Sequence, residues 1–157
     1  MICDLMRNDL GKVSQIGSVK VHAEKKLLTL PSLFHLYSEI SSKPLPGTHP
    51  VDLLKASFPS GSITGCPKLR SMETIYKLES RPRHIYTGSI GYFTGEGDFD
   101  FNVAIRTAVV QNNYLELQVG GAIVYDSDPQ KEWEETKSKA LSFHKILSHE
   151  LTKTKTK

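Results

Sequence analysis

Three glutamates crowd one short stretch near the end of the 157-residue chain, "DSDPQKEWEETKSKA" at positions 126–140. In a helix that turns about 100° per residue, Glu135 lies about 60° from Glu132, and Lys139 falls between them. Glu134 then points away from this pair, and we expect it to be a solvated surface charge. Glu132 and Glu135 are expected at the rim of the side that packs inward, an apolar stripe formed by Trp133, Ala140, Leu147 and Leu151.

Two carboxylates three residues apart on a helix repel each other unless a cation lies between them. Mg²⁺ is a natural candidate, because it prefers oxygen ligands and binds through one or two carboxylates, water and an anionic substrate. The alternative is a salt-bridged helix surface, on which Lys131, Lys139 and water balance the charge. The spacing alone favours the salt-bridged surface, since charge runs are usually solvated faces.

A histidine and an arginine are further candidates for chemistry. His35 lies beside the apolar side of "SLFHLYSEI" at 32–40, which has the spacing of a helix. An isolated histidine there is more often a hydrogen-bonded structural residue than a catalyst. Arg106 stands among small and polar neighbours on one face of the predicted strand "FDFNVAIRTAVV". It is either part of a structural ion pair or a planar fork for a substrate carboxylate.

Two glycine segments could bring backbone N–H groups close to a ligand. "GSITG" at 61–65 is a glycine-bounded loop that leads into a helix, and a helix N-terminus suits an anion. A Walker loop needs four residues between its glycines and Lys-Ser/Thr directly after the second. Three residues separate Gly61 from Gly65, and Cys-Pro precedes Lys68, which argues against an NTPase. The second segment, "VGGAIV" at 119–124, is either a bulge or a close approach of the backbone to a ligand.

The elements that position these residues follow from the hydrophobic periodicity. Helices are predicted at "VDLLKASF", from Pro67 onward, and from about 129 to 151 with Asp128 as the N-cap. Between 85 and 124 three β-rich runs separated by "TGEGD" and "QNN" predict an antiparallel meander. Strands and flanking helices without βαβ alternation predict an α+β fold, an antiparallel sheet flanked by helices. The length predicts one domain at 1–150, followed by a disordered basic tail at 151–157.

Charge and hydropathy exclude several classes of protein. The formal charge is +3, and the final "TKTKTK" alone supplies three lysines, so nothing in the charge asks for nucleic acid. The apolar runs are too short to span a bilayer, and "MICDLMRNDLGK" lacks the apolar segment of a signal peptide. We therefore expect a cytoplasmic protein without a membrane partner.

Seven blocks, in order along the chain, resemble the chorismate-binding enzymes, a family that includes anthranilate synthase component I, aminodeoxychorismate synthase component I, isochorismate synthases and salicylate synthases. The blocks are "MICDLMRNDLGKV", "LFHLYS", "FPSGSITGCPKLRSMETI", "YTGSIGYFT", "FNVAIRTAVV", "VGGAIVYDSDPQKEWEET" and the following "KA". "FPSGSITG" and "MICDLMRNDLG" are more similar to the aminodeoxychorismate synthases, which typically carry "PGGSITGAPK". Anthranilate synthases more often show "GTLSGAPK" there.

The resemblance implies roles for individual residues. Glu132 and Glu135 match two glutamates of the family's Mg²⁺ site, where the cofactor holds the ring carboxylate of chorismate. Arg106 and Tyr86 match residues that bind the enolpyruvyl carboxylate and its surroundings. His35 matches a catalytic histidine beside the reacting ring and ether. The other matching positions contact substrate, and they are Ser62, Gly120, Gly121 and Lys139.

The resemblance also implies a fold and a reaction. The family's fold is a large α/β sandwich with two antiparallel sheets, and the implied reaction adds ammonia to chorismate to give 4-amino-4-deoxychorismate. The ammonia ordinarily comes from a glutamine amidotransferase partner. The alternatives are anthranilate synthase component I, or a noncatalytic chorismate-family domain that only binds a ligand or partner.

Full members of the family carry a "PIKGT"-like block and another glutamate pair upstream of the block that starts here at Met1. The chain is therefore expected to correspond to the C-terminal portion of the enzyme. We expect an incomplete metal site and an inactive isolated chain, because each missing carboxylate removes a ligand and a charge. One half of a sandwich also exposes apolar surface, which favours self-association.

Overall fold

The computed structural model describes residues 2–30 and 33–154, and their elements confirm the α+β class. In chain order these elements are α1 (Ile2–Gly11), β1 (Lys20–Leu30), β2 (Leu33–Ser41), α2 (Pro50–Ser57), α3 (Gly61–Thr64), α4 (Lys68–Leu78), β3 (Ser89–Phe93), β4 (Phe99–Val103), β5 (Ala108–Gln111), β6 (Tyr114–Leu117) and α5 (Pro129–Thr154). Among the described residues the strands form three two-stranded sheets, β1 with β2, β3 with β4, and β5 with β6.

The chain divides into two compact units. The first extends to Pro82 and includes Gly91–Asn102. The second contains Arg83–Ile90 and the chain from Val103 onward. The predicted site residues divide between the two units, with His35 and Ser62 in the first and the others in the second.

The first unit contains a long antiparallel hairpin that corrects one prediction. The segment 32–40 is not a helix, because residues 33–41 form strand β2, in which His35 is paired with Leu28 of β1. Short apolar runs fit helical and extended periods alike, and the segment Lys20–Leu30 supplies a hydrogen-bonding partner that local spacing does not reveal. Ser32 lies outside the described residues.

In the first unit, helix α1 contacts α2, α3 and β2, and helix α4 contacts α3. Helix α2 confirms the helix predicted at "VDLLKASF" and begins one residue earlier, at Pro50. The His49 side chain accepts a hydrogen bond from the Val51 N–H at 3.2 Å. Helix α4 is also confirmed, with Pro67 directly before its first residue. Its apolar residues Leu69 and Tyr76 are exposed.

The hairpin of β3 and β4 carries a cluster of aromatic rings. The Phe93 ring lies 5.4 Å from the Phe99 ring and 5.1 Å from the Phe101 ring, measured between centroids. The predicted loop "TGEGD" is confirmed, since the Thr94 N–H donates to the Asp98 carbonyl at 2.8 Å. Edge-to-face aromatic packing therefore stabilises one face of this hairpin.

The predicted meander is wrong in its middle strand. Strand β4 ends at Val103 and β5 begins at Ala108, so the run from 99 to 110 is two strands in different hairpins. Arg106 lies in the break with a φ of 50°, a left-handed conformation that no strand adopts. Ile105, which directly precedes Arg106, is exposed, so the alternation of a continuous strand does not hold through this break.

The second unit contains the β5–β6 hairpin and helix α5. Asn112 and Asn113 both have positive φ, as a two-residue hairpin turn requires, which confirms the predicted "QNN" loop. The N-cap of α5 is also confirmed, because the Asp128 carboxylate accepts the Lys131 N–H at 2.9 Å. Trp133 was predicted to face inward, but it is exposed, with the Lys137 ammonium over its ring at 5.7 Å.

Helix α5 continues to Thr154, within the predicted tail, and residues 155–157 lie outside the described residues. The side chains of Leu147 and Leu151, predicted to extend the apolar side of this helix, also lie outside them. None of the described helices has the length and apolar character needed to cross a membrane.

Candidate functional site

In the second unit, the glycine segment lies against the first turns of helix α5. The Lys139 ammonium donates a hydrogen bond to the Gly120 carbonyl at 3.0 Å. The same ammonium forms an ion pair with the Glu135 carboxylate at 2.7 Å. Lys139 is thus the link between the backbone of the segment and the acidic side of the helix.

Both glycines lie close to neighbouring side chains. A Cβ atom at Gly120 would lie 2.7 Å from the Tyr86 hydroxyl oxygen, closer than real Cβ contacts allow. A Cβ atom at Gly121 would lie 3.3 Å from a carboxylate oxygen of Glu132. The backbone of this segment therefore lies close to the predicted site residues Tyr86 and Glu132. The close approach of the same backbone to a ligand stays a prediction.

Glu132 is held by a serine that the sequence analysis missed. The Ser127 hydroxyl donates to Oε1 of Glu132 at 2.7 Å and accepts the Val124 N–H at 3.1 Å. Oε2 of Glu132 lies toward Gly121. The sequence signal for this contact was the "DSDP" turn before the helix. A serine five residues before a glutamate can hydrogen-bond its carboxylate across the first turn of the helix.

The other two glutamates behave differently from Glu132. Glu135 is exposed, and the hydrogen bond and charge of Lys139 lower the pKa of its carboxyl. Glu134 is exposed, as predicted, and accepts a hydrogen bond from the Gln130 side chain at 2.9 Å. The crowded stretch therefore contains one half-buried carboxylate, one paired with lysine, and one at the surface.

Arg106 and Tyr86 belong to the same unit. The Arg83 guanidinium lies 5.8 Å from the centre of the Tyr86 ring. Within residues 2–30 and 33–154, the Arg106 side chain is exposed and makes no hydrogen bond or ion pair. The structural ion pair considered for Arg106 therefore has no partner in that part of the chain. Backbone strain such as its positive φ is often found at functional sites.

Ser62 belongs to the first unit, in the short helix α3. Its hydroxyl lies 2.7 Å from that of Ser60, and the Ser60 side chain accepts the Ser62 N–H at 3.3 Å. The N–H of Gly61 donates to the buried carboxylate of Asp9 at 2.8 Å. The predicted loop is thus a single helical turn attached to α1.

A buried carboxylate beside this loop, that of Asp9, was missed by the sequence analysis. Asp9 is 1% exposed and forms ion pairs with Lys68 at 2.7 Å and Lys12 at 3.2 Å. The available signal was the block "MICDLMRNDLGK", in which an aspartate stands between polar and apolar positions. His35 lies in this unit as well, on the exposed strand β2.

The carboxylates of the second unit can be tested against a magnesium ion by their donor chemistry. No group of three or more histidine, cysteine, aspartate or glutamate side chains among the described residues could hold a metal. Mg²⁺ binds through one or two carboxylates and fills its remaining positions with water or substrate oxygens. Glu132 and Glu135 fit that pattern, and a cation at Glu135 competes with the Lys139 ammonium.

Comparison with known proteins identifies the class. The model of the chorismate binding enzyme family matches residues 1–145, and the chain belongs to this family. In the solved structures, it resembles anthranilate synthase component I from Streptococcus pneumoniae, with a TM-score of 0.81 and 41% identity over 89% of this chain and 32% of that one. A putative 2,3-dihydroxybenzoate-specific isochorismate synthase from Bacillus anthracis gives a TM-score of 0.80 and 28% identity, over 94% of this chain and 39% of that one.

Among curated proteins, the chain is 42% identical to anthranilate synthase component 1 of Aquifex aeolicus, over 94% of this chain and 30% of that protein. It is 44% identical to a probable chloroplastic aminodeoxychorismate synthase of rice, Oryza sativa subsp. japonica, over 94% of this chain and 16% of that protein. The chain thus spans less than a third of the length of either relative.

Proposed function

We propose that this chain provides part of the site of an aminodeoxychorismate synthase component I, which adds ammonia to chorismate to give 4-amino-4-deoxychorismate. Family membership over residues 1–145 is the observation that carries this proposal. The "FPSGSITG" block and the 44% identity to the rice aminodeoxychorismate synthase support this product. The ammonia would come from a glutamine amidotransferase partner.

Arg106 is proposed to bind a carboxylate of chorismate. Its side chain is exposed and unpaired within the described residues, so its planar fork of N–H donors is available. An arginine binds a carboxylate through two parallel hydrogen bonds, which fixes orientation as well as charge. Chorismate carries two carboxylates, and a second anion holder is therefore needed.

The second carboxylate of chorismate is proposed to bind a Mg²⁺ ion that Glu132 and Glu135 hold. Ser127 occupies one oxygen of Glu132, which orients the carboxylate and leaves its Oε2 on the side of Gly121. When bound, Mg²⁺ supplies Lewis-acid stabilisation of negative charge on the ring carboxylate. The described residues also contribute a fixed ammonium, Lys139, between the glycine backbone and Glu135.

The remaining site residues are proposed to have the roles that the resemblance to the family implies. Tyr86 and the bare backbone of Gly120 and Gly121 would form part of the substrate surface. Ser62 would contact substrate through its hydroxyl. His35 would transfer a proton beside the ring and ether, a task for which an imidazole is suited near neutral pH.

Metal-linked binding tests the proposal. Because the metal site of the isolated chain is expected to be incomplete, the chain is first joined to the upstream family blocks that carry the other glutamate pair. Chorismate is then titrated calorimetrically into this protein with and without Mg²⁺, in wild type, Glu132→Gln and Glu134→Gln. We expect Mg²⁺ to tighten binding to the wild type and to the Glu134→Gln control, and to have a much smaller effect on Glu132→Gln. Equal chorismate affinity with and without Mg²⁺, or equal behaviour of the two variants, would contradict the proposed metal pair.

Anthranilate formation is a second candidate, because the relatives from Aquifex aeolicus and Streptococcus pneumoniae are both named anthranilate synthase component I or 1. The two products differ in chemistry, since anthranilate is aromatic and has lost the enolpyruvyl group. Incubation of the chain joined to the upstream family blocks with chorismate, Mg²⁺ and ammonium, followed by mass spectrometry, separates them. Metal-linked binding with neither product would favour a noncatalytic binding domain.

A further inference from the structure

We propose that Asp9 is a positioning residue, whose buried carboxylate fixes the turn Gly61–Thr64 to helix α1 and thereby sets the position of the Ser62 hydroxyl. The contacts that form this attachment all lie within this chain. Its relevance to substrate rests on the proposed function of Ser62.

Three groups converge on the Asp9 carboxylate. Oδ2 accepts the Gly61 N–H at 2.8 Å, while Oδ1 lies 2.7 Å from the Lys68 ammonium and 3.2 Å from that of Lys12. A carboxylate that is 1% exposed is costly unless it is paired in this way. Because Lys68 is the first residue of α4, one side chain joins three helices.

A second contact attaches the same turn to the same face of α1. The Ser60 hydroxyl lies 3.2 Å from the sulfur of Met6, which is three residues before Asp9 and therefore on its side of the helix. Ser60 in turn contacts the Ser62 hydroxyl at 2.7 Å. Helix α1 thus reaches Ser62 along two routes, through Gly61 and through Ser60.

The attachment depends on charge as well as shape. There is little space to adjust, since a Cβ atom on Gly61 would lie 3.0 Å from Asp9 and 3.3 Å from Leu5. An asparagine at position 9 has only one acceptor oxygen, so its NH₂ group faces either the Gly61 N–H or the Lys68 ammonium. Two donors that face each other cannot bond, so Asp9→Asn is expected to detach the turn.

Amide hydrogen exchange measured by NMR tests the attachment. In Asp9→Asn we expect the amides of Gly61 and Ser62 to exchange roughly tenfold faster or more, because a local opening exposes them. The amides of the β5–β6 hairpin should keep their wild-type rates. The control is Asp4→Asn, an exposed aspartate on the same helix, in which Gly61 should not change. Unchanged Gly61 exchange in Asp9→Asn, or equal acceleration throughout the chain, would overturn the proposal.

A second variant and a binding measurement complete the test. If Asp9→Asn does not fold, Lys68→Met is measured in its place. Faster amide exchange is then expected at Gly61, and wild-type exchange rates are expected in the β5–β6 hairpin. In chorismate titrations, Asp9→Asn is expected to lose roughly tenfold in affinity while keeping the effect of Mg²⁺, as a change at Ser62 alone requires. If the wild type binds no chorismate, the proposed function fails, whereas the exchange rates still decide the role of Asp9.

Discussion

The two glycine segments are attached to their neighbouring helices by side chains of opposite charge, which also differ in their exposure to water. The turn at Gly61 is fixed by Asp9, a carboxylate 1% exposed whose close cation, Lys68, is itself 14% exposed. The segment at Gly120 is attached through Lys139, which is 27% exposed and paired with the largely exposed Glu135. One attachment is sheltered from water, and the other is open to it.

This difference suits the two segments to different tasks. A buried ion pair cannot exchange partners without leaving a charge unpaired, so it holds a fixed geometry. An exposed pair contributes little to stability, and its groups can exchange one partner for another. The segment at Gly120 is accordingly the better place for an incoming cation or anion, and the turn at Gly61 is the better scaffold.

The largest effect is expected from removing the sheltered carboxylate. Asp9→Ala leaves the Lys68 ammonium and the Gly61 N–H without their partner and should lower the free energy of unfolding by about 3 kcal/mol. Asp4→Ala, on the same helix but exposed, should lower it far less, since exposed ion pairs contribute little to stability. Urea denaturation measures both. Similar losses in the two variants would remove the contrast between the attachments.

A smaller effect is expected at Gly120, where the constraint is steric. Gly120→Ala places a methyl group against the Tyr86 hydroxyl and should cost about 1–3 kcal/mol. Tyr86→Phe removes that oxygen, so the double variant should regain most of the loss in a double-mutant cycle. Gly95→Ala is the control, since nothing lies within 4 Å of its Cβ position. A purely additive cycle would show that Tyr86 is not the obstacle.

A smaller loss of stability is expected from replacing Ser127, the serine that orients Glu132. Ser127→Ala removes the donor to the carboxylate and the acceptor for the Val124 N–H, and should cost about 1 kcal/mol. Ser138→Ala is a matched control on the outer side of α5, where the hydroxyl contacts only the Glu134 carbonyl at 3.0 Å. Thermal denaturation compares the two, and equal shifts in Tm would speak against a special role for Ser127.

The smallest change is expected in the titration of Glu135. Lys139→Met removes the hydrogen bond and the charge that lower the pKa of this carboxyl, so the pKa should rise toward its ordinary value. A pH titration of the side-chain carboxyl resonance by NMR measures it. Lys137→Met, whose ammonium lies over Trp133 instead, should leave it unchanged. If the pKa of Glu135 rose only in Lys137→Met, the partner of Glu135 would be Lys137 and not Lys139.

Local chemistry allowed a good part of the structure to be predicted. Proline and aspartate fixed the start of α5, and asparagines at positive φ fixed the β5–β6 turn, because each residue acts within its own turn. The strand around His35 was mistaken for a helix because its partner Lys20–Leu30 lies earlier in the chain. The break at Arg106 was missed for a related reason, since residue types alone permit a continuous strand.

The sequence by itself determined the family, the helix that carries Glu132 and Glu135, and the place of Lys139 beside them, since a helical period fixes which neighbours share a face. Only the tertiary structure decided that Asp9 is buried against Gly61 and that Gly120 lies against Tyr86. Contacts between residues 52 and 34 positions apart depend on how whole elements pack, and no local pattern encodes them.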